Sequence, residues 1–335
     1  MAHDRKLSAH FVMAVILASC QTLAAFGPSD SEDGLEMLRG PGSYRILGED
    51  TTIRFPFDIY RGDIRFRAEV NGHPVRLLLD DGFMWDPLLF WGGPDAEALE
   101  LERDGTIMVG DEGDETALAS DTASGITVRL PGVEFLDQTA VITPESSGNS
   151  RMWEGSVGQV SATFFKHFVV DINFDSMMIT LIEPDQFRYR GRGSAVPWKP
   201  LEIGAWSIPG TILDGDRREV SLQLMMDLGY NLQAQIATGG EHEFEAPEGA
   251  VPGSLGFNIQ GQETRGHIGK VAGIVIGGFE VKDVAAAFVL GEHADHTFHE
   301  VMIGLGLLSR FNLVFDASRN RLFVEPSGSF SDPFD

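Results

Sequence analysis

The sequence predicts an all-β protein built from two tandem lobes, on three observations. Glycine is abundant, at 39 of 335 residues, and the apolar segments are short, which suits strands joined by many turns. Apolar and polar residues alternate at the strand period in the best-patterned stretch. One plan of apolar strand, Asp-x-Gly loop and spaced glycines runs through the chain twice. With 43% hydrophobic residues, a chain of this length can fill two cores of ordinary domain size.

Taken in order, the N-terminus reads as a targeting segment. Arg5 and Lys6 precede an apolar run from Phe11 to Ala18, too short to span a bilayer as a helix. The run ends in Leu17-Ala18-Ser19-Cys20, and Cys20 is the only cysteine. These four residues resemble the lipobox of bacterial lipoproteins. That likeness implies a signal peptide over residues 1–20, lipidation at Cys20, and a protein anchored to a bacterial membrane in the periplasm or cell envelope. Cleavage near Ala24 or Ala25, with Cys20 discarded, is the alternative. On either reading the mature body has no cysteine, which excludes disulfides and thiol chemistry. Residues 21–50 are rich in Gly, Ser, Pro and acid without an apolar period, and read as a flexible tether. Formal net charge is −25, and a surface that negative repels phosphate backbones, so no nucleic-acid partner is expected.

The first lobe is expected over residues 51–185. Ile64, Phe66, Ala68 and Val70 alternate with Asp63, Arg65, Arg67 and Glu69, the pattern of a half-buried strand. Asn71-Gly72 is a hairpin signal, and the apolar run Val75 to Leu79 then ends at Asp80-Asp81-Gly82. Residues 186–198, with Arg188, Arg190 and Arg192 among Gly and Pro, read as the linker. The second lobe, residues 199–327, repeats the plan before a short tail, 328–335. Ile208 to Leu213 leads into Asp214-Gly215, and Leu222 to Met226 ends at Asp227-Leu228-Gly229.

Landmarks after each aspartate keep step. Gly110 lies 30 residues beyond Asp80 and Gly256 lies 29 beyond Asp227; Gly132 and Gly278 follow at 52 and 51, and Gly158 and Gly304 at 78 and 77. Gly132-Val133-Glu134-Phe135-Leu136-Asp137 matches Gly278-Phe279-Glu280-Val281-Lys282-Asp283, Val157-Gly158 matches Ile303-Gly304, and Phe165-Lys166-His167-Phe168 matches Leu308-Ser309-Arg310-Phe311. An Asp-x-Gly triplet carries no weight alone, since Asp111-Glu112-Gly113 is a third one without an apolar strand before it. Its occurrence twice in the same strand-to-loop context does carry weight.

This pattern resembles the retropepsin-like and pepsin-like aspartic proteases, in particular bacterial chains with two retropepsin-like lobes, over roughly Thr51 to Pro326. The resemblance implies two tandem acid-protease-type β-barrel lobes with a cleft between them, each lobe giving one catalytic aspartate, here Asp80 and Asp227. Asp81, Gly82, Leu228 and Gly229 would form the supporting loops. Gly110 and Gly113 would sit on a closing flap, with Gly256 at the matching place in the second lobe, and Val157-Gly158 and Ile303-Gly304 would form strands beside the aspartate loops. Two carboxyls about 3 Å apart cannot both ionise, so one proton is shared. The ionised member deprotonates a water and the protonated member polarises the scissile carbonyl. The implied substrate is a peptide or protein, and no cofactor or metal is required. Where the family has Thr or Ser after each aspartate, tying the loops through its hydroxyl, this chain has Asp81 and Leu228. Phe83 and Tyr230 stand where a small residue is usual. The alternative expectation is a catalytically silent lobe pair that binds peptide or a protein partner.

Other candidates are weaker. His293, His296 and His299 are spaced by three, which can turn zinc or copper ligands to one side of a helix. A polar connection from the strand at Ala286–Leu290 to the Val301–Ile303 segment is the simpler account, and no metal is assigned. His242 reads as solvated loop. Trp85, Phe90 and Trp91 fit either a substrate groove or, more commonly, the core. Asp86 reads as a turn or cap residue.

Overall fold

The computed structural model describes residues 42–49, 51–82, 87–109, 117–201, 205–257, 263–289 and 299–334. The alternating stretch is β3 (Asp63–Val70), which follows β2 (Thr52–Tyr60) and turns back as β4 (His73–Leu79). The turn between β3 and β4 is the two-residue kind that Asn-Gly favours: Val70 pairs with His73, and Asn71 and Gly72 take positive φ of 48° and 85°. That mirror-image twist matches the twist of the flanking strands.

The remaining strands of the first half are β1 (Ser43–Ile46), β5 (Leu88–Trp91), β6 (Arg103–Val109), β7 (Leu118–Leu130), β8 (Val133–Thr143), β9 (Gly158–Val160), β10 (Val169–Asn173) and β11 (Met178–Ile182). The second half supplies β12 (Ser194–Pro197), β13 (Lys199–Pro200), β14 (Trp206–Leu213), β15 (Glu219–Asp227), β16 (Ala234–Ala237), β17 (Val251–Phe257), β18 (Glu263–Ile276), β19 (Phe279–Val289), β20 (Val301–Gly304), β21 (Phe311–Asp316) and β22 (Arg321–Pro326).

The two halves share one wiring. The strand bearing each aspartate runs parallel to a later short strand, β4 beside β9 and β15 beside β20. That short strand pairs antiparallel with β5 in one half and β16 in the other. Those two strands in turn pair parallel with β8 and β19, and the hairpins β6–β7 and β17–β18 extend the sheets. The halves also join. β10 pairs antiparallel with β21, placing Val170 opposite Phe315 and Ile172 opposite Leu313, so strands from both ends of the chain lie in one sheet in the order β12-β22-β21-β10-β11-β2. The main apolar core continues through both halves.

One matched pair from the repeat is displaced. Gly158 lies opposite Leu77, three residues before Asp80, whereas Gly304 lies opposite Asp227 itself. The counterpart of Gly304 is therefore Ser161, and the counterparts of Met302 and Ile303 are Gln159 and Val160. This corrects the pairing of Val157-Gly158 with Ile303-Gly304. The physical reason is a longer connection before β9, which carries the turns around Glu145–Ser147 and Asn149–Met152. Counting residues from the aspartate absorbs that extra length silently.

Arg65 departs from the alternation too. Only 1% exposed, it donates to the Glu154 carbonyl at 2.6 Å and to the Asp63 carboxylate at 3.0 Å, and its guanidinium stacks 4.6 Å from the Tyr60 ring. Its face of β3 is covered by the turn near Glu154, so a charge there persists only because it is paired. Among the described residues no helix is long and apolar enough to cross a membrane. Cys20 and the rest of the expected leader lie outside the described residues.

Candidate active site

Each aspartate stands where a parallel-paired strand runs out. Asp80 follows β4, and its N–H donates to the Val160 carbonyl at 3.1 Å; Asp227 ends β15 opposite Gly304. Both loops then turn back in the same way. Asp80 Oδ1 accepts the Gly82 N–H at 3.0 Å, and Asp227 Oδ1 accepts the Gly229 N–H at 2.8 Å. Short side chains that bond a backbone two residues on stabilise such turns.

The two loops meet through Asp81. Its Oδ1 accepts the Leu228 N–H at 2.7 Å, between residues 147 apart in sequence. Asp81 and Leu228 are fully buried, as are Asp227 and, at 1% exposure, Asp80. From the sequence alone, Asp81 and Leu228 imply the loss of a hydroxyl tie. In the fold a carboxyl oxygen takes the backbone donor instead, and Leu228 contributes its N–H while its side chain joins the main core. The only signal for this in the sequence is that aspartate, like threonine, presents an acceptor oxygen on a short side chain.

Burial and neighbouring charge favour the protonated forms of Asp81 and Asp227. Burial, then the Asp80 charge, push the Asp81 carboxyl up to about 7 against the opposing effect of the Leu228 N–H. Burial, then the charges of Asp80 and Asp81, raise Asp227 well above the ordinary carboxylate range. Each is a penalty on the ionised form, from lost water or from a like charge nearby. The second oxygens of Asp81 and Asp227 are buried and accept no hydrogen bond from the described residues, which leaves each a site for a proton. A buried pair that keeps one proton presents an acid and a base side by side, the equipment for adding water across a carbonyl.

Tyr230 packs over Gly304: a Cβ on Gly304 would stand 2.4 Å from the Tyr230 carbonyl oxygen and 2.6 Å from its ring. The Tyr230 hydroxyl is buried without a hydrogen-bond partner among the described residues, and burial, then the Asp227 charge, raise its pKa. Tyr230 belongs to a second apolar cluster with Met225, Met302 and Leu255. A counterpart in the first half gathers Leu78, Leu89, Val109 and Trp91, the last stacked 4.6 Å from Trp153. Phe90 joins the main core.

Gly110, Gly113, Phe83, Trp85, Asp86, His293 and His296 lie outside the described residues. Gly256 sits within β17 beside a bulge, opposite Thr264. His242 is not simply solvated: its ring pairs with Glu300, whose carboxylate also accepts the His242 N–H at 2.9 Å. Among the described residues no group of three or more ligating side chains is placed to hold a metal.

No protein-family model and no curated protein matches the chain. Among solved structures it is similar to an aspartic proteinase from Irpex lacteus, with a TM-score of 0.53 at 14% identity, covering 83% of this chain and 98% of that one. It is also similar to basic 7S globulin from soybean, with a TM-score of 0.49 at 11% identity, covering 86% of this chain and 100% of that one. The first likeness, together with the repeated strand wiring, shows that this chain has the two-lobed all-β fold of the pepsin-like aspartic proteinases.

Proposed function

We propose that this chain is an aspartic endopeptidase that hydrolyses peptide bonds through Asp80 and Asp227, carried on a cell-envelope anchor at Cys20. The observation that carries the reading is the raised Asp227 carboxyl beside the charge of Asp80, at equivalent points of two loops bonded to each other. Such a pair retains one proton, and the titration belongs to the pair. The ionised member takes a proton from the attacking water while the neutral member donates to the scissile carbonyl. The proton then passes to the leaving amine.

A second reading, peptide binding without cleavage, is favoured by Tyr230. Its ring stands where the resemblance implies a small residue, and its hydroxyl bonds to no carboxyl. An acid-pH digest of a peptide library with wild type and Asp80→Asn, run beside equilibrium binding of the same peptides, separates the two. Cleavage lost in the variant supports the peptidase. Binding without cleavage in wild type supports the second reading, and cleavage that survives in Asp80→Asn removes the assignment.

A further inference from the structure

Asp81 Oδ1 receives the Leu228 N–H at 2.7 Å, both residues are fully buried, and the other carboxyl oxygen of Asp81 has no hydrogen-bond partner among the described residues. An ionised carboxylate needs partners on both oxygens when water is excluded, and the Leu228 N–H with the weaker help of its own N–H leaves Oδ2 without one. A neutral acid needs fewer: its carbonyl oxygen takes the N–H and its other oxygen carries the proton. The titratable groups that face it are Asp80 on its own loop and Asp227 on the opposite one, with Tyr230 beside Asp227. None of these is a cation that could neutralise a third negative charge.

We propose that Asp81 is a positioning residue that works as an un-ionised acid, tying the two aspartate loops through Leu228 while its own proton keeps a third negative charge away from the Asp80/Asp227 pair. In this form the working site carries two protons over three carboxyls. One is shared by the reacting pair and the other is held on Asp81, away from the chemistry. Loss of the Asp81 proton as the medium turns alkaline places a charge against the pair and sets an upper limit on activity that the pair alone would not set. This inference rests on the peptidase reading for its effect on cleavage. Its claim about the proton on Asp81 stands apart from catalysis.

The test compares Asp81→Asn, which keeps an acceptor oxygen but cannot ionise, with Asp81→Ala, which has neither. Melting temperature and kcat and KM on a library-derived peptide are followed from pH 4.5 to 8.5. Asp81→Asn should melt about 3 °C or more above wild type at pH 8, with the difference vanishing near pH 5. Its kcat in acid should stay within about threefold of wild type, with the alkaline limb of kcat/KM moved up by about half a pH unit or more. Asp81→Ala should lose about tenfold or more in kcat at little change in KM, because drifting loops harm geometry rather than binding. Should Asp81→Ala fail to fold, Asp81→Thr, which keeps an acceptor but cannot ionise, serves as a second non-ionising variant and should share the raised melting temperature of Asp81→Asn at pH 8, and no gain there overturns the proposal. An Asp81→Asn variant that gains nothing at pH 8, or that loses as much kcat as Asp81→Ala, overturns the proposal. If wild type cleaves no peptide at any pH, the peptidase reading falls, and the melting comparison alone still decides whether Asp81 holds a proton.

Discussion

Gly304 and Tyr230 touch so closely that no side chain can be added between them, since a Cβ on Gly304 would stand 2.4 Å from the Tyr230 carbonyl oxygen. The Leu305 N–H donates to that same carbonyl at 2.7 Å, so the backbone after Asp227 is pinned to the strand beside it. Gly304→Ala is therefore expected to destabilise the fold by about 1–3 kcal/mol, the usual range for overpacking. Gly215, in a turn where an added Cβ meets nothing within 4 Å, is the control, and Gly215→Ala should stay within about 0.5 kcal/mol of wild type. Denaturant unfolding of both variants measures this, and equal stabilities would mean the aspartate loop can shift at no cost.

The pair of aspartates should act as a unit. Asn at Asp80 or at Asp227 should lower peptide cleavage by roughly three orders of magnitude or more, and the double variant should lose little beyond either single. A hydroxyl-bearing transition-state analogue should inhibit wild type. Single variants that each lose only part of the activity, with losses that multiply in the double, would show two independent contributors and no dyad.

Stability should peak in mild acid. Burial raises Asp81 to about 7, and burial, then the Glu325 charge against the opposing Arg54, raise Asp171 to about 6. The folded chain therefore binds more protons than the unfolded one above about pH 4, where free carboxyls ionise. Unfolding free energy falls as pH rises through that window to about 7, by an amount on the order of a few kcal/mol. Asp316 works in the other direction. Burial raises it, yet Ser318, Arg321 and Arg319 together hold it below the ordinary range, so its contribution is lost as pH falls below about 4. Thermal melts from pH 3 to 8 should trace a maximum near pH 4–5; a flat or rising curve between pH 5 and 7 would contradict the buried-acid account.

The anchor has its own test. Expressed in a two-membrane bacterium, the chain should partition with membranes and take up labelled fatty acid, and Cys20→Ala should do neither. Equal solubility of the two forms would remove the lipoprotein assignment and leave an ordinary exported chain.

By itself the sequence determined the lobed β plan, because strand alternation, the Asn71-Gly72 turn and glycines at fixed offsets are local signals that backbone geometry enforces. It also determined which two aspartates are equivalent, since Leu77 to Leu79 and Leu224 to Met226 are the same kind of apolar strand leading into the same kind of loop. Only the tertiary structure decided the rest. Which residue stands opposite Asp80 depends on how an irregular connection before β9 is folded, and spacing alone assigned Gly158 where the sheet register assigns Ser161. The alternation puts Arg65 on the polar face of its strand, and the turn that buries it lies 89 residues away. Asp81 and Leu228, 147 residues apart, carry no hydroxyl, so the sequence by itself shows no tie between the loops. Pairing the loops showed that a carboxyl oxygen and a backbone N–H supply the bond. In each case the deciding partner comes from far along the chain, and contacts of that kind leave no pattern in local sequence.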